Sequence, residues 1–177
     1  MDLFEAIKKR HCYRGDFNDR VVRREDLLKI VQAGLDAPSG KNAQTTRFVI
    51  IDDPSLLEQI RQMHAGNKAF QQARVMIACI IDKNPEATYE GYAFQIEDCA
   101  AAVENMLLAI TALGYASVWI DGWLRLDNRN EKIGRLLGAP DSKIVRILLP
   151  IGVPAEEVRG PEKMGFEQRA WFNKYSS

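Results

Sequence analysis

An arginine-rich stretch near the start of the chain reads Lys9-Arg10-His11-Cys12-Tyr13-Arg14-Gly15-Asp16-Phe17. It directly follows a short segment with an apolar face, so it is expected at the end of a helix over residues 2–9. An arginine presents a planar fork of N–H donors that suits the paired oxygens of a phosphate or a carboxylate. The stretch therefore predicts an anion pocket, and the alternative is a solvated, charged turn.

Three further stretches follow in order along the chain. The first is a loop of small and amide side chains that leads into an apolar run, Ala37-Pro38-Ser39-Gly40-Lys41-Asn42-Ala43-Gln44 and then Arg47-Phe48-Val49-Ile50-Ile51. The second is Leu113-Gly114-Tyr115-Ala116-Ser117-Val118-Trp119-Ile120, and the third is Leu149-Pro150-Ile151-Gly152-Val153-Pro154-Ala155-Glu156. Each is weak by itself, but together with the arginine-rich stretch they span nearly the whole chain.

On these four stretches the chain resembles the FMN-dependent nitroreductase family, whose N-terminal motif is usually Arg-Arg/His-Ser-x-Arg/Lys. The resemblance covers essentially the full length and implies one FMN-binding domain over residues 1–177. The implied fold is of the α+β class, with a central mixed or antiparallel sheet flanked by helices. A homodimer in which the C-terminal tail embraces the partner is also implied.

The same resemblance implies an NAD(P)H-dependent FMN oxidoreductase of the nitroreductase type. FMN would be the cofactor, and NADH or NADPH would deliver hydride to flavin N5. A nitroaromatic, a quinone or a free flavin would then accept the electrons in a ping-pong scheme, which needs few catalytic side chains because orientation supplies most of the effect. Two alternatives stay open: a specialised flavin reaction such as flavin fragmentation or reductive dehalogenation, and a flavin-binding homodimer without turnover.

In the arginine-rich stretch, the resemblance implies that Arg10 and His11 bind the phosphate and ribityl chain of FMN. Arg14 would lie near the pyrimidine edge of the flavin. Cys12 stands where the family usually has a serine, and a thiol is a weaker hydrogen-bond donor than a hydroxyl. Phosphate binding would then depend more on Arg10 and on Lys163, which lies where the family often has a second basic residue.

Elsewhere, the resemblance implies contacts to the flavin ring from amides and from the backbone. Asn42 and Asn67 would contact the ring, and a backbone N–H of Asp121 or Gly122 would face N5. The partner subunit would supply further contacts from its own copies of Pro38, Ser39 and Gly40.

The chain departs from the family pattern at two of these places. Gln44-Thr45-Thr46 stands where many members have Gln-Pro-Trp, so a bulky aromatic is missing from the pocket. Asp121-Gly122 replaces the common Gly-Gly, although a backbone donor does not depend on the identity of the side chain.

Some of these residues have simpler interpretations. Arg14 could form a surface ion pair with Asp16 or Asp19. Lys163 could be solvated charge, and Asn42 could serve only as a turn residue.

Composition excludes several functional classes. With 24 basic and 24 acidic residues the formal net charge is +0, so there is no general electrostatic case for nucleic acid or an anionic membrane. No apolar run approaches the roughly 18 residues of a membrane span, and the acidic opening residues do not resemble a signal peptide. Two histidines and three irregularly spaced cysteines predict no metal centre and favour reduced thiols in a cytoplasmic protein. Neither a dinucleotide-binding Gly-x-Gly-x-x-Gly motif nor a P-loop occurs in the sequence.

Hydrophobic periodicity predicts the remaining elements. It indicates helices over 2–9, 24–36, 54–63, 93–113 and 130–137, and strands over 48–51, 75–81, 118–120 and 144–151. The apolar residues that share one face are Leu3, Phe4 and Ile7 in the first helix and Leu27, Leu28, Val31 and Leu35 in the second. Residues 64–68 are expected to form a polar loop, and 82–92 a mobile lid or loop. The tail, residues 153–177, is rich in aromatic rings that must be buried somewhere, and a second subunit is one solution.

Overall fold

A computed structural model of the chain describes residues 1–63 and 67–175. The strands are β1 (Arg47–Ile51), β2 (Val75–Asp82), β3 (Ala116–Ser117) and β4 (Lys143–Gly152). The helices are α1 (Leu3–Lys9), α2 (Arg24–Leu35), α3 (Pro54–Arg61), α4 (Lys68–Gln72), α5 (Gln95–Ala112), α6 (Gly122–Arg125), α7 (Arg129–Leu136) and α8 (Phe166–Arg169). The first three residues of the loop predicted at 64–68 lie outside the described residues.

The centre of the fold is a four-stranded antiparallel sheet in the order β1-β2-β4-β3. The central strands β2 and β4 are almost entirely buried, which explains their unbroken apolar sequences. The two-residue strand β3 forms one edge, where Ala116 pairs with Gly152 and Ser117 with Ile151. The predicted α+β class with helices around a sheet is confirmed, and of the two predicted sheet types the antiparallel one is present.

Helices cover both faces of this sheet. On one face, α2 and the long α5 pack against residues of β2 and β4 that include Ile77 and Ile147. On the other face, residues of α3, α4 and α7 pack against Met76 and Leu148. The buried apolar residues of α5 recur at helical spacing from Cys99 to Ile110 and form a stripe along one side of the helix. Among the described helices, none combines the length and the apolar character needed to cross a membrane.

The first helix buries a different residue from those that share its apolar face. Ala6 is the buried residue of α1, whereas Leu3, Phe4 and Ile7 are 61%, 80% and 50% exposed. Since α1 packs against α5, its apolar face points away from that contact. These three side chains are uncovered in the single chain.

The second helix is also rotated relative to the stripe that its sequence indicates. Leu27 is buried as expected, but Leu28 and Leu35 are exposed. The side towards α5 is formed by Ile30 and Gly34, and a Cβ on Gly34 would lie 3.0 Å from the side chain of Met106. The helices approach closely at this glycine, and that approach determines which side of α2 faces the core.

The third strand lies two residues earlier than predicted. The strand comprises Ala116–Ser117, and within the predicted range 118–120 only Ile120 makes a bridge, to Leu148. Between these two pairings, Val118 and Trp119 pack into opposite core layers. A run that is buried on both sides is continuously apolar, so its pattern carries no information about which residues pair.

Three short helices were not predicted. They are α4, α6 and α8, with five, four and four residues. Elements this short do not complete two helical turns, so apolar periodicity cannot reveal them. The predicted polar loop is wrong at Lys68, which begins α4.

Candidate functional site

The arginine-rich stretch is fixed between β3 and the first part of the C-terminal tail. The N–H of Tyr13 donates to the carbonyl oxygen of Ser117 at 2.8 Å, and Cys12 forms an isolated parallel bridge with the same serine. On the other side, the N–H of Ala155 donates to the carbonyl oxygen of Asp16 at 2.9 Å. Three of the four sequence stretches therefore lie side by side, and the third of them leads into the tail.

The tail then passes directly against His11. A Cβ on Gly160 would lie 2.1 Å from Nδ1 of His11, so only a glycine allows this approach. Lys163 follows three residues later, no more than about 11 Å along even a fully extended chain. The predicted second cation is thus in the same region as the arginine-rich stretch.

Helix α4 packs beside this stretch through a polar network. Asp16 accepts hydrogen bonds from Lys68 Nζ at 2.8 Å and from Gln72 Nε2 at 2.7 Å. The bond from Lys68 holds the pKa of the Asp16 carboxyl below its usual range. Asn67 caps the helix through Oδ1, which accepts from the N–H of Phe70 at 3.2 Å. Its amide nitrogen has no hydrogen-bond partner within the described ranges, so Asn67 can still donate to a ligand.

Arg10 has one acidic neighbour on α5. Its Nε lies 3.2 Å from Glu104 Oε1, and the two side chains are 22% and 47% exposed. This ion pair was not predicted, because nothing in the sequence relates two residues so far apart. It orients Arg10 without burying it.

Arg14 and Lys163 are exposed cations. Neither forms an ion pair with any residue in the described part of the chain, and the carboxylates of Asp16 and Asp19 bind other cations instead. The simpler interpretation of Arg14, a surface ion pair with one of these aspartates, is therefore wrong. Both cations remain available to an anion.

The loop over residues 38–45 is held at the N-terminal end of α5. Asp98 accepts hydrogen bonds from the N–H of Gly40 at 2.9 Å and from the hydroxyl of Thr45 at 2.8 Å. Phe94 packs so tightly that a Cβ on Gly40 would lie 2.6 Å from its ring. Three residues of the loop have positive φ angles, a conformation that non-glycine residues rarely adopt: Lys41, Asn42 and Gln44.

The position of Asn42 is compatible with both interpretations given for it, a turn residue and a contact to the ring. Its N–H donates to the carbonyl oxygen of Ser39 at 2.9 Å, so its backbone is part of a turn. Its side chain is exposed and makes no hydrogen bond to another described residue. Pro38 is exposed and Ser39 is half-buried.

The segment predicted as a lid or loop contains a tight turn attached to this loop. The backbones of Tyr89 and Tyr92 pair with each other around Glu90 and Gly91, both at positive φ. Lys41 Nζ lies 4.4 Å from the ring centroid of Tyr89. The two tyrosine side chains are exposed.

The 38–45 loop and the arginine-rich stretch contact different sides of α5. Arg10 pairs with Glu104, whereas the loop is bound to Asp98, six residues earlier. Six residues correspond to about 9 Å along the helix axis and roughly 240° around it. In one chain, the predicted contacts therefore form two groups: Arg10, His11, Cys12, Arg14, Asn67 and Lys163 in one region, and Pro38, Ser39, Gly40 and Asn42 in another.

Asp121 is held by two arginines. Its carboxylate accepts from Arg125 Nε and Nη2 at 2.7 and 2.9 Å and also pairs with Arg146. Partial burial raises the pKa of this carboxyl, but the hydrogen bonds from the two arginines outweigh it and lower the pKa overall. Gly122 is exposed, and a Cβ built on it would meet no atom within 4 Å, so open space lies in front of its backbone.

Two cysteines meet beside this network, which the sequence did not indicate. All three cysteines are free. A hydrogen bond from Cys79 lowers the pKa of the Cys99 thiol against the effect of burial, and the charge of Arg146 acts in the same direction. Burial raises the pKa of Cys79 well above its usual value. Both cysteines are fully buried, and no local pattern relates a residue of β2 to one of α5.

The match to a family model decides the family. The model of the nitroreductase family matches residues 7–74 and 61–153. This chain belongs to the nitroreductase family. The matched region contains every candidate residue except Lys163, so the position of that lysine rests on the structure of the tail.

Individual relatives agree with this assignment. A Methanothermobacter thermautotrophicus protein, provisionally named NADH dehydrogenase/NAD(P)H nitroreductase, is 34% identical over 156 residues, which are 88% of this chain and 79% of the relative. An FMN-dependent nitroreductase from Clostridium difficile has the same fold, with a TM-score of 0.80, 28% identity, and coverage of 97% and 99% of the two chains. A nitroreductase from Bacteroides fragilis, solved with bound FMN, superposes with a TM-score of 0.79 at 24% identity, covering 98% of this chain and 100% of that one.

Proposed function

We propose that this nitroreductase-family protein is an FMN-dependent oxidoreductase that uses NADH or NADPH and works as a homodimer. The observation that carries the proposal is the meeting of the arginine-rich stretch, the 117–122 segment and the tail in one region that holds unpaired cations. The structure of the Clostridium difficile relative, described as FMN-dependent, supports the choice of cofactor.

The residues in this region fit the chemistry of FMN. The phosphate is a dianion, and Arg10, His11 and Lys163 would hold it together with the ribityl chain. Arg14 would bring a positive charge to the pyrimidine edge of the ring, where the reduced flavin gains negative charge. When bound, FMN supplies the redox chemistry, since its N5 accepts hydride from a nicotinamide and the ring passes the electrons to an acceptor.

The protein's own residues would bind the flavin and orient it. Asn67 has a free amide nitrogen for a polar group of the ring. Open space borders the backbone at Gly122, and Asp121 or Gly122 would present an N–H towards N5. We take a nitroaromatic, a quinone or a flavin as the class of acceptor. The three free cysteines support a reducing, cytoplasmic location.

Uncovered apolar surface supports the homodimer. The apolar face of α1 is exposed in the single chain, and so are the tail rings Phe166, Phe172 and Tyr175, at 56%, 82% and 78%. Surface of this kind is typical of an interface between subunits. A tail that embraces a partner would bury these rings.

The dimer also explains the two groups of candidate residues. Pro38, Ser39, Gly40 and Asn42 lie on another side of α5 from the arginine-rich stretch. In a symmetric dimer, the loop of one subunit can complete the site of the other. The rigid attachment of the loop to Asp98 suits a surface that binds across an interface.

The test begins with the absorption spectrum of the purified protein and of the supernatant after heating. A yellow protein that releases FMN at about one per chain, and is bleached anaerobically by NADH or NADPH, is the expected result. A protein that binds FMN but is reduced by neither nicotinamide would leave a flavin-binding dimer without this turnover. A colourless protein that also fails to bind added FMN would contradict the proposal.

A further inference from the structure

A β-bulge in the central sheet gives Arg146 an unusual position. Cys79 pairs with Ile147 and the next residue, Ile80, pairs with Val145, so Arg146 is the extra residue of β4. Val145 and Ile147 pack in opposite core layers, although residues two apart in a regular strand point to the same face. The bulge thus interrupts the alternation of side chains between the two faces of the sheet at Arg146. The side chain of Arg146 is only 14% exposed and pairs with Asp121.

The segment that contains Asp121 is attached to β4 at two adjacent points. Ile120 and Leu148 exchange two backbone hydrogen bonds, of 3.2 and 3.0 Å. One residue further, the carboxylate of Asp121 pairs with Arg146 of the same strand. The backbone N–H of Asp121 itself has no acceptor among the residues that the structure describes. The two attachments therefore hold the backbone at Asp121 in place and leave its N–H free to donate a hydrogen bond.

The second arginine on Asp121 cannot make such an attachment. Arg125 belongs to α6, four residues further along the same segment, and its side chain is 59% exposed. It moves with Asp121 when the segment moves. Among the described residues, only Arg146 links the carboxylate to the sheet.

We propose that Arg146 is a positioning residue, which holds the Asp121-Gly122 backbone in the orientation that presents its N–H to the flavin. This inference rests on the proposed FMN function. In this inference the carboxylate of Asp121 attaches the segment to β4 through Arg146. The family commonly has a glycine at this position, and a glycine has no side chain that could make the attachment. Arg146 itself touches no reacting atom.

The first arm of the test measures this attachment in the full-length protein without added substrate. Amide hydrogen exchange at Ile120 should be roughly tenfold faster or more in Arg146→Gln, because a charge-assisted bond that resists local opening is lost. Asp121→Asn should have a similar effect, and the double variant should exchange no faster than either single one. The matched control Arg125→Gln removes the same charge from the same carboxylate and should leave exchange at Ile120 nearly as in the wild type.

The second arm measures FMN binding and flavin reduction separately. At saturating FMN, the rate constant for anaerobic reduction by the nicotinamide should fall roughly 10- to 100-fold in Arg146→Gln, since small misplacements of a reacting partner have effects of this size. The dissociation constant of FMN should stay close to that of the wild type. Arg146→Lys keeps a cation that can pair with Asp121 and should recover part of both the exchange protection and the rate.

Three results would overturn the inference alone. They are unchanged exchange at Ile120 in Arg146→Gln, an equal effect of Arg125→Gln, and weaker FMN binding with a normal reduction rate for the flavin that remains. A wild-type protein that binds no FMN would instead overturn the proposed function, and this inference with it.

Discussion

Replacement of Arg10 by alanine tests the anchor of the proposed cofactor site. Arg10 follows α1 directly and is held in place by Glu104, while its side chain stays 22% exposed. A phosphate bound there would receive charge-assisted hydrogen bonds from the guanidinium. We expect Arg10→Ala to fold normally and to lose most of its affinity for FMN.

The expected loss in binding is much larger than the expected loss in stability. Removing a hydrogen bond to a charged group costs about 1.5–3 kcal/mol, which corresponds to a roughly 10- to 150-fold higher dissociation constant for FMN. The ion pair with Glu104 is partly exposed, and such pairs contribute only about 0–1 kcal/mol to folding. The melting temperature of the FMN-free protein should therefore fall by no more than about 4 °C.

The chain offers a matched control in Glu104→Gln. This variant loses the same ion pair but keeps the arginine, so it should show the same small change in stability and bind FMN at least as well as the wild type. Fluorescence titration of FMN into the apoprotein measures both dissociation constants. An unchanged constant in Arg10→Ala would remove Arg10 from the site, and an equal loss in Glu104→Gln would reduce the arginine to a structural role.

Three further predictions, which use five variants, have defined outcomes. Deletion of residues 160–177 should give a monomer that loses FMN, whereas Lys163→Ala should stay dimeric and bind FMN more weakly. Size-exclusion chromatography with absorbance at the flavin band distinguishes these outcomes. A truncated dimer that stays yellow would contradict the embracing tail. Burial raises the pKa of the Asp26 carboxyl, but hydrogen bonds from Arg23, Tyr115 and Lys29 outweigh it and lower the pKa overall. The ionised carboxylate therefore stabilises the fold fully above the unfolded pKa of about 3.9, and this stabilisation disappears as the pH falls through the lower pKa of the folded state. The stability difference between wild type and Asp26→Asn in urea should accordingly be constant above about pH 5 and shrink below pH 4, and a difference independent of pH would refute this assignment. Gly152→Ala should lower the free energy of unfolding by about 1–3 kcal/mol because its Cβ would lie 2.4 Å from Phe17, while Gly134→Ala, a helical site with its nearest atom at 3.9 Å, should raise it by about 0.5–1 kcal/mol.

The long helices and strands were predictable because they carry strong periodic signals, whereas the fold class was implied by the resemblance to the family. The buried runs of β2 and β4 and the stripe of α5 have one physical explanation each, a central strand and a helix packed on a sheet. The signal failed for very short elements, and it did not show which residues of a short, continuously apolar run form the strand. The run from Val118 to Ile120 has neighbours on both core layers, and α4 depends on a single cap at Asn67.

Residues of the candidate site could be predicted only where they lie close together in the sequence or match the family pattern. Arg10, Arg14 and Lys163 could be named, and the structure brings them into one region. Their partners could not be named, because Glu104 and Asp98 act through tertiary contacts that no local pattern encodes. The exposed face of α1 is a different case: its apolar pattern was real, but its three side chains stay exposed in the part of the single chain that the structure describes.

The substitution of Asp121 for a glycine illustrates how a departure from a family pattern is accommodated. A carboxylate beside a ring that gains electrons would oppose reduction through its negative charge. Here two arginines neutralise that charge, and one of them reaches Asp121 only because a bulge interrupts β4. The bulge and the aspartate are far apart in the sequence, and neither is informative alone. Together they turn an unfavourable charge into an attachment between the segment and the sheet, so the two features are best understood as one structural unit.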